Sequence, residues 1–330
     1  MSKKFQVVGI GNAVSDVIAT SSDAFLADNG IEKGIMQLID QDRAETLFAA
    51  MTDRTETPGG SVANTIAGLG SLGLKTAFIG RVADDELGQT YAKAMADEGT
   101  DFPNGPVVGS KLPTSRSMIF VSPDGERSMN TYLGVSSDVG PDDVDLSVVE
   151  GGDILFLEGY LFDKDPGKAA FYKAADAAVA AGGRAGISLS DPFCVDRHRG
   201  DFRKLIAGPL GYFLCNEDEL KSLYQTDDLD AALTQAAGEC DLVVCTRASD
   251  GVSVQSAQDR VDVGVTPVIP IDATGAGDQF ATGFLYGLVQ GASLEVAARM
   301  GTIAAGEVIS HVGPRPATDI GALFASANLV

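Results

Sequence analysis

At 330 residues, with 45% apolar content and 39 glycines, the chain can bury a large core as one α/β domain, alone or with an accessory piece. A net charge of −22 argues against nucleic-acid and anionic-membrane partners. No stretch reaches the ~18 uninterrupted apolar residues of a membrane span, and Lys3-Lys4 precedes too short an apolar run for a signal peptide. Four scattered cysteines without a C-x-x-C and only two histidines argue against a zinc site. The expectation is a reduced, cytoplasmic enzyme acting on a small molecule, as a monomer or homodimer. The same charge repels polyanions, so a nucleotide substrate would need a helix N-terminus, Mg²⁺ and one or two placed arginines.

In chain order, residues 5–10 read as a short buried strand ending in Gly9-Ile-Gly11-Asn12. The G-x-G invites a dinucleotide-binding reading, but Val14 stands where the third glycine should be. Residues 13–20 alternate and are β-branched, which predicts a second strand, and 34–39 a partner for it. Asp40 then caps a helix over 41–51. Pro58-Gly59-Gly60-Ser61 opens a helix to Leu72, closed by Gly73, with Asn64 in its first turn. A strand over 75–79, a turn over 80–85 and a helix over 86–98 follow. Short strands at 107–108, 115–121 and 127–133 lie too close together for intervening helices, and Pro123-Asp124-Gly125 marks a turn between two of them. They predict a small antiparallel sheet, joined by 13–20 and 34–39. From 153 onward the pattern is βα alternation, with strands at 153–157, 184–189, 211–215, 241–246 and 261–271 and an Ala-rich helix at 166–181. That is a parallel sheet covered on both faces. The whole chain, 1–330, reads as one doubly wound α/β domain. Its β appendage, drawn from about 13–39 and 107–135, would suit a lid over the strand ends.

One stretch carries the most chemistry: Asp272-Ala-Thr-Gly-Ala-Gly-Asp278. It follows a β-like segment at 266–271 and starts a helix in which Phe280, Phe284, Leu285 and Leu288 recur at helical spacing. Gly275 and Gly277 flank Ala276, so the backbone can approach a ligand closely. The N–H groups of 275–278 would face an anion at a helix N-terminus, and Asp278 sits in that same turn. The combination fits a group that must lose a proton while it attacks a phosphate; a glycine turn with a dipole-complementing Asp is the plain alternative. No P-loop and no H-R-D or D-F-G pair occurs. Asn12, Asp16 and Asn64 stand at strand or helix ends, where turn chemistry explains them and a polyol ligand would also use them. Asn216-Glu217-Asp218-Glu219 reads as a capping box, or as a motif whose Asn216 and Glu219 hold Mg²⁺ or a metal-bound water near the phosphates. His311 reads as a helix-terminus partner.

Taken together, these motifs resemble the ribokinase-like (PfkB) carbohydrate and nucleoside kinases over nearly the whole chain. The signatures are Gly59-Gly60-Ser-Val-Ala-Asn64 running on to Gly80-Arg-Val-Ala-Asp84-Asp85-Glu-Leu-Gly88, the Asp272 to Asp278 stretch, and Asn216-x-x-Glu219. The resemblance implies a doubly wound αβα core with a β lid, and transfer of the ATP γ-phosphoryl to an alcohol. It implies Asp278 as base, Gly275, Ala276 and Gly277 as anion hole, and Asn216 and Glu219 organising Mg²⁺ and phosphate. Thr246 and Gly251 fall at the nucleotide, with Ala248 in place of a usual glycine, and His311 near the adenine. A need for K⁺ stays open. Within the family, Gly11-Asn-Ala-Val-Ser-Asp16, Ile35-Met-Gln37-Leu-Ile, Pro58-Gly-Gly-Ser61 and Asn130-Thr-Tyr-Leu133-Gly are similar to the adenosine-kinase branch. That likeness implies ribose contacts at Asn12, Asp16, Gly60 and Asn64. It puts Gln37, Leu133 and an aromatic or leucine around 160–162 near the base. A sugar kinase of the ribokinase or fructokinase type is the alternative; a nucleotide-cofactor oxidoreductase and a non-catalytic binding relative are the readings from other classes.

Overall fold

The computed structural model describes residues 3–330. Nine strands form the main sheet, in the order Arg260–Val263, Val252–Gln255, Val243–Thr246, Tyr212–Asn216, Arg184–Ser188, Gly152–Glu158, Phe5–Ile10, Thr76–Ile79 and Thr100–Asp101. The strands from Val243–Thr246 to Thr100–Asp101 pair in parallel, and the far edge is an antiparallel hairpin. Runs such as Phe5–Ile10 can be apolar on both faces because each face is covered. Val8, Ile10, Leu155 and Leu157 point to helices Asp165–Ala180, Pro192–Ile206 and Glu217–Tyr224. Val7, Ile154 and Phe156 point the other way, to Ser61–Ser71, Ala276–Val289 and Leu294–Val308.

A second sheet of five strands runs Met36–Leu38, Arg127–Tyr132, Ser115–Val121, Val14–Thr20, Thr55–Gly59. Helices Asp23–Asp28 and Gln41–Ala50 seal one face with a core that includes Val17, Leu26, Leu47, Met118 and Phe120. The opposite face carries Asp16, Ser117 and Thr131 in register, and it looks across at the C-terminal ends of the main sheet.

The expected α/β architecture with a small β appendage is what forms, with five local corrections. Thr55–Gly59 is a lid strand, not only the approach to a helix; it lies at the sheet edge, where Pro58 withholds no ladder hydrogen bond that the sheet needs. The lid sheet is mixed, since Val14–Thr20 with Ser115–Val121 and Met36–Leu38 with Arg127–Tyr132 pair in parallel. Val107 makes only an isolated bridge to Ala83. Val252–Gln255 is an additional strand, and the strand expected over 261–271 is confined to Arg260–Val263. Pro267 and Pro270 deny N–H groups to any ladder beyond it, so 264–271 runs irregularly into the Asp272 turn. Among the described residues, no helix is long and apolar enough to cross a membrane.

Candidate active site

Helix Ala276–Val289 starts from Gly275 in the left-handed conformation, φ +79°. A Cβ there would lie 2.6 Å from the Pro314 carbonyl oxygen, so only glycine fits. Gly277 differs: nothing approaches its virtual Cβ within 4 Å, because that side opens into the cleft. The Ala276 N–H is spent on the Ala273 carbonyl, 3.2 Å away, so it does not join the expected set of outward donors. Asp278, one turn in, is held from the neighbouring helix Ser61–Ser71. Its Oδ1 accepts from Ser61 Oγ at 2.7 Å and its Oδ2 from Asn64 Nδ2 at 3.0 Å. Burial pushes its carboxyl up to about 6, opposed by the hydrogen bonds from Asn64 and Ser61 and by the charge of Arg315. Such a group is ionised at neutral pH yet basic enough to take a proton.

All of this lines one cleft of about 840 Å³ between the lid and the strand ends. At one end stand Asn12, Asp16, Gly60 and Asn64. Asp16 is buried and pushed up to about 7 by that burial, against the pull of Arg127 and Arg315. Gly59 leaves the space its carboxylate fills, and Gly60, at φ +99°, passes too close to the Asn12 carbonyl to carry a side chain. Glu158, at the end of strand Gly152–Glu158, joins them and was not foreseen. Its Oε1 accepts from the Asn12 backbone N–H at 3.2 Å and from Asn12 Nδ2 at 2.8 Å, while Oε2 accepts from the Val62 N–H at 3.1 Å. A single acid closing the apolar run Ile154-Leu-Phe-Leu-Glu158 was the one available signal. Burial pushes Glu158, too, up to about 7.

Beside this polar cluster, Met36, Leu38, Met129 and Leu133 bring an apolar strip to the cleft. Met36 and Met129 are register partners, and Leu38 is 52% exposed. Gln37 is not among the lining residues: strand alternation turns it to the other face, where its Nε2 donates to Glu32 Oε2 at 3.4 Å. Tyr160 lines the cleft, whereas Leu161 and Phe162 are sunk in the core.

The far end of the cleft holds Asn216, Glu219, Thr246 and Ala248. Gly251 lies outside it, as a hairpin position at φ +91° packed on the Val263 carbonyl. His311 also lies outside; its Nε2 is 3.2 Å from Glu307 Oε2 and 3.3 Å from the Ala317 nitrogen, inside the C-terminal loop. Two arginines offset the acids, Arg127 buried and Arg315 half-buried. Arg127 reaches from the lid to Asp272 in an ion pair, although its N–H groups lack a well-aligned acceptor. Arg315 contacts Asn64 and Glu98.

Residues 34–320 match the pfkB family carbohydrate kinases. The chain belongs to that family. It is similar to the adenosine kinase of Sinorhizobium meliloti, at 44% identity and TM-score 0.92, covering 98% of this chain and 99% of that one. A probable sugar kinase from Rhizobium etli CFN 42 matches at 42% identity and TM-score 0.93, covering 99% and 100%. By sequence it also resembles the 5-dehydro-2-deoxygluconokinase of Shouchella clausii, 28% identical over 268 residues, 78% of this chain and 81% of that protein. The protein is therefore a phosphotransferase of the sugar and nucleoside kinase group, in a family whose kinases use ATP and Mg²⁺.

How this kinase's own side chains meet Mg²⁺ can be judged from Glu219. Its Oε2 accepts from the Asn216 N–H at 3.0 Å and its Oε1 from Asn216 Nδ2 at 2.7 Å, and the Asn216 Oδ1 accepts from the Glu219 N–H at 2.8 Å. Both carboxylate oxygens are committed to a capping box, and burial pushes the group up to about 7. Direct ligation does not fit that arrangement. Nor do the described residues contain a group of three or more His, Cys, Asp or Glu placed to hold a metal.

Proposed function

We propose that this kinase transfers the γ-phosphoryl of MgATP to the 5′-hydroxyl of adenosine. The observation that carries the choice of acceptor is the uncovered apolar strip of Met36, Leu38 and Met129 beside the polar Asn12, Asp16 and Asn64 cluster. A purine has a flat apolar body to lay on that strip, gaining about 25 cal/mol for each Å² removed from water; a free sugar has none. The similarity to the S. meliloti adenosine kinase supports the same reading. Asp16 and Asn64 hold the ribose hydroxyls. Asp278 takes the proton of the 5′-hydroxyl as it attacks, and the turn at Gly275–Gly277 meets the charge on the transferred phosphoryl. Mg²⁺ arrives with the nucleotide, and Asn216 and Glu219 shape the wall beside it as one capped helix start.

The second reading is a sugar kinase, favoured by the sequence relatives, which carry sugar-kinase names. Comparing kcat/KM across acceptors with MgATP separates the two. Adenosine is expected to exceed ribose and fructose by several orders of magnitude, since binding energy from the remote ring also serves the reacting end. Leu38→Asp should weaken adenosine at least tenfold and leave a free sugar unaffected, whereas Gln37→Ala should change neither. Comparable kcat/KM for adenosine and any free sugar sinks the nucleoside reading.

A further inference from the structure

We propose that Arg315 is a positioning residue for the base: it fixes the one orientation of the Asn64 amide that hydrogen-bonds Asp278. This rests on Asp278 being the proton acceptor. Arg315 Nε donates to Asn64 Oδ1 at 3.3 Å, and Asn64 Nδ2 donates to Asp278 Oδ2 at 3.0 Å. A guanidinium can only donate and an ionised carboxylate can only accept. The amide between them therefore has a single orientation that satisfies both, and the arginine enforces it. Glu98, at the end of helix Glu86–Asp97, grips the other end of the guanidinium. The result is a relay, Glu98–Arg315–Asn64–Asp278, that joins four separate parts of the chain.

The loop that carries Arg315 is geared to the turn that carries the base. Gly313 N–H donates to Asp272 Oδ2 at 2.8 Å. The buried Gln279 donates from Nε2 to the Pro314 carbonyl at 3.1 Å, and the absent side chain of Gly275 leaves the room Pro314 occupies. Three contacts thus register residues 313–315 against residues 272–279, so the arginine moves with the helix start it serves. A surface arginine recruited only for stability would not need such indexing.

Charge works in the same direction as orientation. The charged groups that act on or feel Asp278 are Arg315 from the C-terminal loop, Asp16 from the lid and Glu158 from the main sheet; Arg127 acts on Asp16, and Ser61 and Asn64 are neutral. Among them Arg315 is the cation that counters Asp278's burial, and an opposite charge nearby favours the ionised carboxylate.

The test needs a readout that mere stabilisation would not move, and the titration of Asp278 supplies it. Carboxyl ¹³C resonances of the ligand-free protein are followed against pH, with Asp278→Asn identifying the signal. Arg315→Met is expected to raise the Asp278 midpoint by about one pH unit and, through the smaller ionised fraction, to lower kcat about threefold at pH 6.5, with KM for ATP unchanged. Arg315→Lys, which restores a cation, should bring the midpoint most of the way back. If Arg315→Met does not fold, the double variant Glu98→Gln/Arg315→Gln removes both charges without leaving a buried unpaired ion and should move the midpoint in the same direction. An unmoved midpoint in a folded variant overturns the proposal, even where its melting temperature drops. A separate control protects the reading beneath it: Asp278→Asn should lose on the order of 10²-fold or more in kcat. If it keeps more than about a tenth of wild-type turnover, the base assignment falls and the relay with it.

Discussion

At the scale of single residues, three of the acids that line the cleft, the buried Asp16 and Glu158 and the half-buried Asp278, stand among two arginines, the buried Arg127 and the half-buried Arg315. Burial raises all three acids, and it raises Asp16 further than Asp278, to about 7 against about 6. Their proposed tasks differ, so their protonation should show in different kinetic parameters. In the proposed reaction a ribose hydroxyl would donate to Asp16, so the acceptor would bind the ionised form, and protonation of the free enzyme would weaken it. The acidic limb of kcat/KM for the acceptor is expected near pH 7, falling about tenfold per unit below. The limb of kcat, which reports the enzyme–substrate complex, is expected near pH 6 and belongs to Asp278. Asp16→Asn should erase the upper limb and leave the lower one. Two limbs coinciding below pH 5 would show that burial does not govern these groups. Asp278, Asn12 and Asn64 were legible because each sits in a local motif. Glu158 and Arg315 were not, because their partners lie 146 and 251 residues away in sequence and no local pattern encodes such a meeting.

Among elements, the turn from Asp272 to the first turn of helix Ala276–Val289 holds two glycines in different surroundings. Gly275 has a positive φ and Pro314 against it, whereas Gly277 has helical backbone and open space. Gly275→Ala is therefore expected to lower stability, by roughly 1–3 kcal/mol for a side chain forced into that region. Gly277→Ala should leave the melting temperature within a degree or two while raising KM for ATP at least several-fold, because its methyl enters the phosphate end of the cleft. Equal loss of stability in both would return the turn to a purely structural role. The same scale explains where sequence reading succeeded and failed. Strong periodicity placed Phe5–Ile10 and Ser115–Val121 to the residue. Thr55–Gly59 was hidden by its Pro58-Gly59, which reads as a helix opening but is tolerated in an edge strand. Gln37 shows how register decides function: Met36–Leu38 was anticipated as a strand, yet period-2 alternation gives the cleft Met36 and Leu38 and turns Gln37 away.

For the molecule as a whole, the acids of the cleft and the overall charge act on stability in one direction. Asp16, Glu158, Glu219 and Asp278 are all raised in the fold, to between about 6 and about 7. The native state then holds protons that the unfolded chain has released, and stability falls as pH rises wherever that is so. Their contribution is fully present below the unfolded carboxylate range near pH 4 and is lost as pH climbs through 6 and 7. Each pKa unit corresponds to about 1.4 kcal/mol, so even one such group matters against a marginal total. A net charge of −22 at pH 7 adds self-repulsion on the same side. Asp124, lowered by its pairing with Lys33, pulls the other way, but it is exposed and screened. The ligand-free kinase is therefore expected to melt at a higher temperature at pH 5.5 than at pH 8, at constant ionic strength. Glu158→Gln should be less stable throughout, because its amide cannot accept from both Asn12 and Val62. It should also show a shallower decline, because one of the four titrating groups is gone. The decisive measurement is that slope between pH 5.5 and 8, wild type against variant. A wild-type melting temperature that rises across this interval, or an unchanged slope in the variant, would mean that these carboxylates are ionised in the fold and that the cleft is wetter than its geometry shows.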